Sequence, residues 1–106
     1  MVKKPKAKLE KEEKAEDLLC NAVKSLGGLC FKLKFVGKLG APDRLVLMPG
    51  GRFLFVELKR PKGTLEASQE AMFPKLERVG FPVHILRGTE EVSAFITTHL
   101  TKERQL

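Results

Sequence analysis

Three residues in this sequence are of types that together can do chemistry: Asp43, Glu57 and Lys59, in the stretch GAPDRLVLMPGGRFLFVELKRPKG. Carboxylates offer hard oxygen ligands of the kind Mg²⁺ or Mn²⁺ takes, and Mg²⁺ so held keeps several waters and binds phosphate. Such an ion activates water and neutralises charge developing on a phosphodiester, and a neighbouring ammonium orients the nucleophile or stabilises the same charge. Residues two apart in a strand share a face, so Glu57 and Lys59 stand beside Phe53 and Phe55. Two carboxylates gathered there repel and lose hydration, and a cation offsets both costs. An ordinary salt bridge between Lys59 and either acid would use the same residues. The Asp and the Glu-x-Lys alone do not separate the two readings.

A scaffold must bring position 43 back to position 57. Apolar residues at helical spacing (Ala15, Leu18, Leu19, Ala22, Val23, Leu26) predict an amphipathic helix that Gly27 and Gly28 end. Glu16 falls on the edge of that stripe, where its carboxylate can lean toward whatever the helix packs on. Alternation over 29–36 predicts a strand with a basic edge or face, 44–48 a second strand, and Pro49-Gly50-Gly51-Arg52 a hairpin turn into a third over 53–59. A helix over 67–79 follows, with Met72, Phe73, Leu76 and Val79 inward and Pro74 kinking it. A short strand over 81–86 and a last helix over 89–100 complete the pattern, with Thr89 as N-cap and Val92, Phe95 and Ile96 inward. The result is an α/β domain whose first three strands form an antiparallel meander and whose fourth returns parallel. Residues 1–14 read as a flexible basic segment, 15–100 as the domain and 101–106 as a polar tail.

The meander raises a difficulty of register. A hairpin closed on Gly50-Gly51 as a two-residue loop sets Met48 against Phe53 and Asp43 against Leu58, which puts Asp43 on the face opposite Glu57. A shared metal therefore requires an odd loop, a bulge or a bend at Pro42 and Asp43, and one of these is expected.

Bulk properties narrow the setting. At 106 residues there is room for one core, and 42% apolar with 31% charged residues suits a folded soluble protein. No apolar run approaches a membrane span and the N-terminus lacks a signal-peptide core, so a cytoplasmic location is expected, with no membrane partner. Two cysteines without a CxxC, and two histidines, suggest neither a zinc site nor a disulfide framework; Cys20 and Cys30 read as buried thiols. The net charge of +7 is concentrated, with eight basic against two acidic residues over 31–62. Such a field attracts polyanions, nucleic acid above all. With no Tyr or Trp, base stacking has few platforms, so DNA would be held by backbone and shape.

Taken together, GAPDRLVL, the PGGR turn, FVELKRPKG, the following Gln69 and the upstream AVKSLGGLCFK closely resemble the VRR-NUC (virus-type replication-repair nuclease) family of the PD-(D/E)XK nuclease superfamily. The resemblance covers 15–86. It implies a restriction-endonuclease-like αβββαβ core with a C-terminal helix and a mixed central sheet, and a Mg²⁺- or Mn²⁺-dependent deoxyribonuclease with no organic cofactor. By the same resemblance Asp43 and Glu57 match the metal-binding acids; apart from the resemblance, the backbone carbonyl of Leu58 beside them could add another oxygen ligand. Lys59 matches the catalytic lysine and Gln69 the supporting glutamine of the second helix. Glu16 matches the acid of the first helix, which can reach the metal through water. Lys32, Lys38, Arg44, Arg60 and Lys62 are candidate phosphate contacts by position and charge. Small members of the family are similar to phage proteins of the Holliday-junction-resolvase kind, which implies branched DNA as substrate and a homodimer. A non-catalytic DNA-binding subunit and a small scaffold protein stand as the alternatives.

Overall fold

The computed structural model describes residues 6–101, with side chains from 13 onward. Its elements run α1 (Lys6–Ser25), β1 (Leu29–Lys32), β2 (Arg44–Met48), β3 (Arg52–Lys59), α2 (Ala67–Arg78), β4 (Val83–Arg87) and α3 (Gly88–Phe95), which runs into a π-helical turn, Ile96–Leu100. The sheet order is β1-β2-β3-β4, antiparallel through β3 and parallel between β3 and β4. This is the mixed α/β architecture expected.

Alternation decides which face is which. Along β2, Arg44, Val46 and Met48 are buried and Leu45 and Leu47 less so. The register sets Arg44 opposite Val56 and Val46 opposite Leu54, so these side chains share one face with His84 and Leu86 of β4. α1 and α3 pack on each other and over that face. There Leu19, Val23, Val46, Val56 and Val92 have no solvent exposure, each contributing roughly 1.5–3 kcal/mol relative to an exposed side chain. α2 lies on the other face, anchored by buried Phe73 and Gln69.

Several boundaries differ from the sequence reading, each for a physical reason. α1 starts at Lys6 rather than at 15, because the preceding Lys, Glu and Ala residues are good helix formers even without an apolar stripe. Residues 1–5 and 102–106 of the expected flexible segment and tail lie outside the described residues. β1 stops at Lys32, and the Leu33 N–H donates to the Asp43 carbonyl at 2.9 Å, so residues between them form a closed loop instead of more strand. Val79, expected inward, is 68% exposed beyond the end of α2. The N-cap of α3 is Arg87, not Thr89: Glu91 reaches back one turn and its Oε1 accepts the Arg87 N–H at 2.7 Å. Among the described residues no helix is long and apolar enough to cross a membrane.

Candidate active site

The turn between β2 and β3 settles the register. Met48 pairs with Arg52, leaving Pro49, Gly50 and Gly51 as a three-residue loop whose two glycines take positive φ (88° and 80°), a conformation costly for any residue with a Cβ. The odd count shifts the pairing by one residue relative to a two-residue loop. Carried to the open end of the hairpin, it sets Asp43 opposite Glu57 rather than Leu58, on the α2 side of the sheet.

There the two acids hold each other's strands. The Asp43 N–H donates to Glu57 Oε1 at 2.9 Å, and the Leu58 N–H donates to Asp43 Oδ2 at 3.0 Å. Each carboxylate thus spends one oxygen on the opposite strand, leaving Asp43 Oδ1 and Glu57 Oε2 directed elsewhere. Lys59 Nζ lies 3.1 Å from Glu57 Oε2. Glu57 is 1% exposed, whereas Asp43 faces solvent at the mouth of the site.

α2 and the 33–43 loop support this end of the hairpin. Gln69 Nε2 donates to the Ala41 carbonyl at 3.4 Å, and its Oε1 accepts the Glu66 N–H at 3.1 Å. Gly40 makes the docking possible: at φ 97° an added Cβ would lie 2.3 Å from the Ser68 carbonyl oxygen and 2.8 Å from Met72 Cβ. Only glycine lets the loop lie so close to α2 and deliver Asp43 to Glu57.

Both carboxyls are pushed above their usual range. For Asp43 the main cause is partial loss of hydration, opposed by the Leu58 N–H and by Lys59. For Glu57 burial again comes first and the charge of Asp43 second, against hydrogen bonding from Gln69 and Lys59. Two acids with one lysine leave this cluster short of positive charge. Its donor set is all oxygen, as Mg²⁺ or Mn²⁺ prefers. A strand residue's N–H and C=O point to the same neighbour, so the Leu58 carbonyl also lies on the Asp43 side. Among the described residues no group of three or more His, Cys, Asp or Glu side chains forms a cage for an ion.

The remaining candidates divide. The cluster opens into a cleft of about 360 Å³ whose lining includes Lys59, Arg60, Thr64 and Glu66. Lys38 and Lys62 are exposed on the loops before β2 and after β3. Lys32 is exposed but pairs with Arg44 and so shares the α1 face. Arg44, expected as a phosphate contact, is corrected by its surroundings: it is 8% exposed and its guanidinium donates to Glu16. Burial works against its charge, and Glu16 more than offsets that, so the arginine stays firmly protonated. Glu16 therefore meets Arg44 on one side of the sheet while Asp43 and Glu57 meet on the other. Glu66 and Thr64 escaped the sequence reading; the Glu-x-x-Gln spacing of Glu66 and Gln69 at a helix start was the available signal. A larger hollow, about 460 Å³, lies at the turn end between Leu26, Met48, Pro49, Arg52 and Leu100 and contains no carboxylate, so volume alone does not mark the chemistry.

Comparison with known proteins agrees with this fold. The family model of the VRR-NUC domain matches residues 5–90. A protein of Acyrthosiphon pisum secondary endosymbiont phage 1, named as a candidate nuclease, p44, is 41% identical over 89 residues, which cover 84% of this chain and 95% of that protein. A solved structure of a VRR-NUC domain is similar with a TM-score of 0.77 and 28% identity, over 83% of this chain and 96% of its own.

Proposed function

The chain belongs to the VRR-NUC domain family, a family of nucleases, and from that premise we propose that it is a Mg²⁺- or Mn²⁺-dependent DNA endonuclease. The observation that carries this reading is the juxtaposition of Asp43 and Glu57 on one face, locked by reciprocal hydrogen bonds with Lys59 Nζ 3.1 Å from Glu57.

Asp43 Oδ1, Glu57 Oε2 and the Leu58 carbonyl would hold the ion, with Glu16 too far engaged by Arg44 to be more than a water-mediated neighbour. When bound, the ion supplies Lewis-acid stabilisation of the phosphate and a more acidic water. Lys59 orients that water and donates to the phosphate oxygen on which charge develops. A bond forms between water oxygen and phosphorus as the bond to the leaving sugar oxygen breaks, and a proton passes to that oxygen. Gln69 keeps α2 and the Ala41 backbone seated so that Asp43 stays opposite Glu57. Arg60, Lys62 and Lys38 contact flanking phosphates around the cleft, which makes binding salt-dependent.

The substrate in this reading is branched DNA, of the four-way kind, in phage or prophage replication and repair, and the protein works in the cytoplasm as a homodimer with two active sites. Support for a partner copy comes from the α2-side face beyond the cleft. There Leu29, Phe31, Phe53 and Phe81 are between 42% and 56% exposed, and Phe53 and Phe81 stack at 5.2 Å between ring centroids. A contiguous apolar patch of this sort marks an interaction surface.

The experiment is cleavage of labelled linear, flapped and four-way DNA with Mg²⁺, Mn²⁺ or chelator, by wild type and Lys59→Ala, with the mass of the protein in solution measured alongside. Metal-dependent cutting lost in Lys59→Ala is expected. Equal cutting by both proteins would remove the chemistry proposed, and binding without cutting by wild type would leave a DNA-binding subunit.

A further inference from the structure

Cys20 and Cys30 come from different elements, α1 and β1, yet their sulfurs stand 3.0 Å apart. Both are free thiols and both retain some solvent access. Cys30 pairs with Val46 and so faces α1, and Cys20 follows Glu16 by one helical turn, on the side turned to the sheet. A thiol–thiol contact of this length is shorter than two unbonded sulfurs require for packing alone, and only about 1 Å longer than a disulfide bond.

We propose that Cys20 and Cys30 are a dithiol modification site that takes a low-molecular-weight disulfide as oxidant and closes to an internal disulfide. The Cys20 sulfur attacks one sulfur of the oxidant, forming a mixed disulfide and releasing the first small thiol. The Cys30 sulfur, losing its proton to solvent, then attacks Cys20 and releases the second. Two protein thiols and one small disulfide become one protein disulfide and two small thiols, with no electron unaccounted for. Cys30 is the inner partner: burial and the neighbouring Cys20 push its thiol up to about 12, so it waits as a thiol until the first sulfur is activated.

The bond would pin α1 to the edge strand just behind the Glu16–Arg44 ion pair, on the reverse of the hairpin end that carries Asp43. Its effect is on the seating of α1, and it rests on no assumption about DNA cleavage.

The test is incubation of the reduced, full-length protein in glutathione buffers from fully reduced to fully oxidised, with intact mass, free-thiol count, non-reducing electrophoresis and thermal unfolding read on each sample. The expected result is loss of both thiols and two hydrogens in a monomeric species whose Tm rises by several degrees, as closing a short loop predicts, and returns on reduction. Cys20→Ser and Cys30→Ser should each keep an unmoved Tm across the series. A persistent glutathione adduct, a disulfide between two copies, or two unreacted thiols at the oxidising end would overturn the proposal, as would an oxidised wild type no more stable than the reduced one.

Discussion

Asp43 and Arg44 are neighbours in sequence, but β2 sends them to opposite faces of the sheet and their charges meet opposite fates. On the α1 side Arg44 is buried against Glu16, and the pair is neutral. On the α2 side Asp43 meets Glu57, and one lysine leaves the group net negative. A fold that neutralises the charge of Arg44 has left the acidic pair one residue along short of positive charge, and the cost appears as carboxyls held above their usual range. The first arrangement is what stability asks for; the second makes sense when a cation completes it. The two faces should therefore respond in opposite ways to the same kind of mutation.

The largest effect is expected on cleavage. Glu57→Gln and Lys59→Ala should each lower the cleavage rate by about 10²–10³-fold or more under saturating Mg²⁺, the range seen when a charge-stabilising group is removed. Thermal unfolding should show both variants folded. A single-turnover assay on a labelled four-way junction checks this, and near-wild-type rates would place the chemistry elsewhere.

The opposite face is sharpened by Glu16→Gln, which should leave Arg44 buried without its counter-charge. Complete burial of the pair would cost more, but Glu16 is 37% exposed and water recovers part of the loss, so about 2 kcal/mol is expected. For a domain of this size that lowers Tm by roughly 8–15 °C. Glu16→Gln combined with Arg44→Met should recover most of it, because no orphaned charge remains. If the double variant unfolds as early as the single one, the pair is not what seats α1.

How far the sequence could be read follows the same division. β2, β3 and the apolar stripe of α1 were legible because period 2 and period 3.6 are strong signals, and the sequence motifs placed Asp43, Glu57 and Lys59 in one neighbourhood. The facing of Asp43 was legible only as a condition, since loop length at Pro49-Gly50-Gly51 sets register and glycines permit either count. Arg44 misled because charge in a sequence carries no direction; its alternation with Val46 and Met48 points it at α1, and Glu16 was already marked on the edge of that helix. The contact of Cys20 with Cys30 depends on how a helix rolls over a strand, which no local pattern encodes.

Metal should distinguish the faces more gently. Millimolar Mg²⁺ or Mn²⁺ is expected to raise the Tm of wild type by a few degrees, since a ligand that binds only the folded state stabilises by mass action. The same ion should leave Asp43→Asn unmoved, and Glu16→Gln should keep the full shift on its lower baseline. Differential scanning fluorimetry with and without chelator reads all three, and a metal shift that survives in Asp43→Asn would mean the ion sits outside the Asp43–Glu57 pair.

The smallest effect isolates the charge imbalance itself. Without metal, Asp43→Asn should be more stable than wild type at pH 7, by a Tm difference of a few degrees, because the amide oxygen can still accept the Leu58 N–H while the repulsion with Glu57 is gone. The sign of its pH dependence follows from the raised carboxyls. A carboxyl whose pKa is higher folded than unfolded binds its proton more tightly in the folded state, so wild type is penalised above the folded value and released from the penalty as pH falls toward the unfolded value near 4. The advantage of the variant must then shrink on acidification. His84, whose burial and His99 lower its proton affinity, moves stability in the other direction, but it is present in both proteins and drops out of the difference. Paired unfolding curves from pH 4 to 8 in chelator measure this difference directly. A gap that stays constant or widens toward acid would mean that the two acids are not in conflict in the metal-free fold, and the contrast between the faces would lose its electrostatic basis.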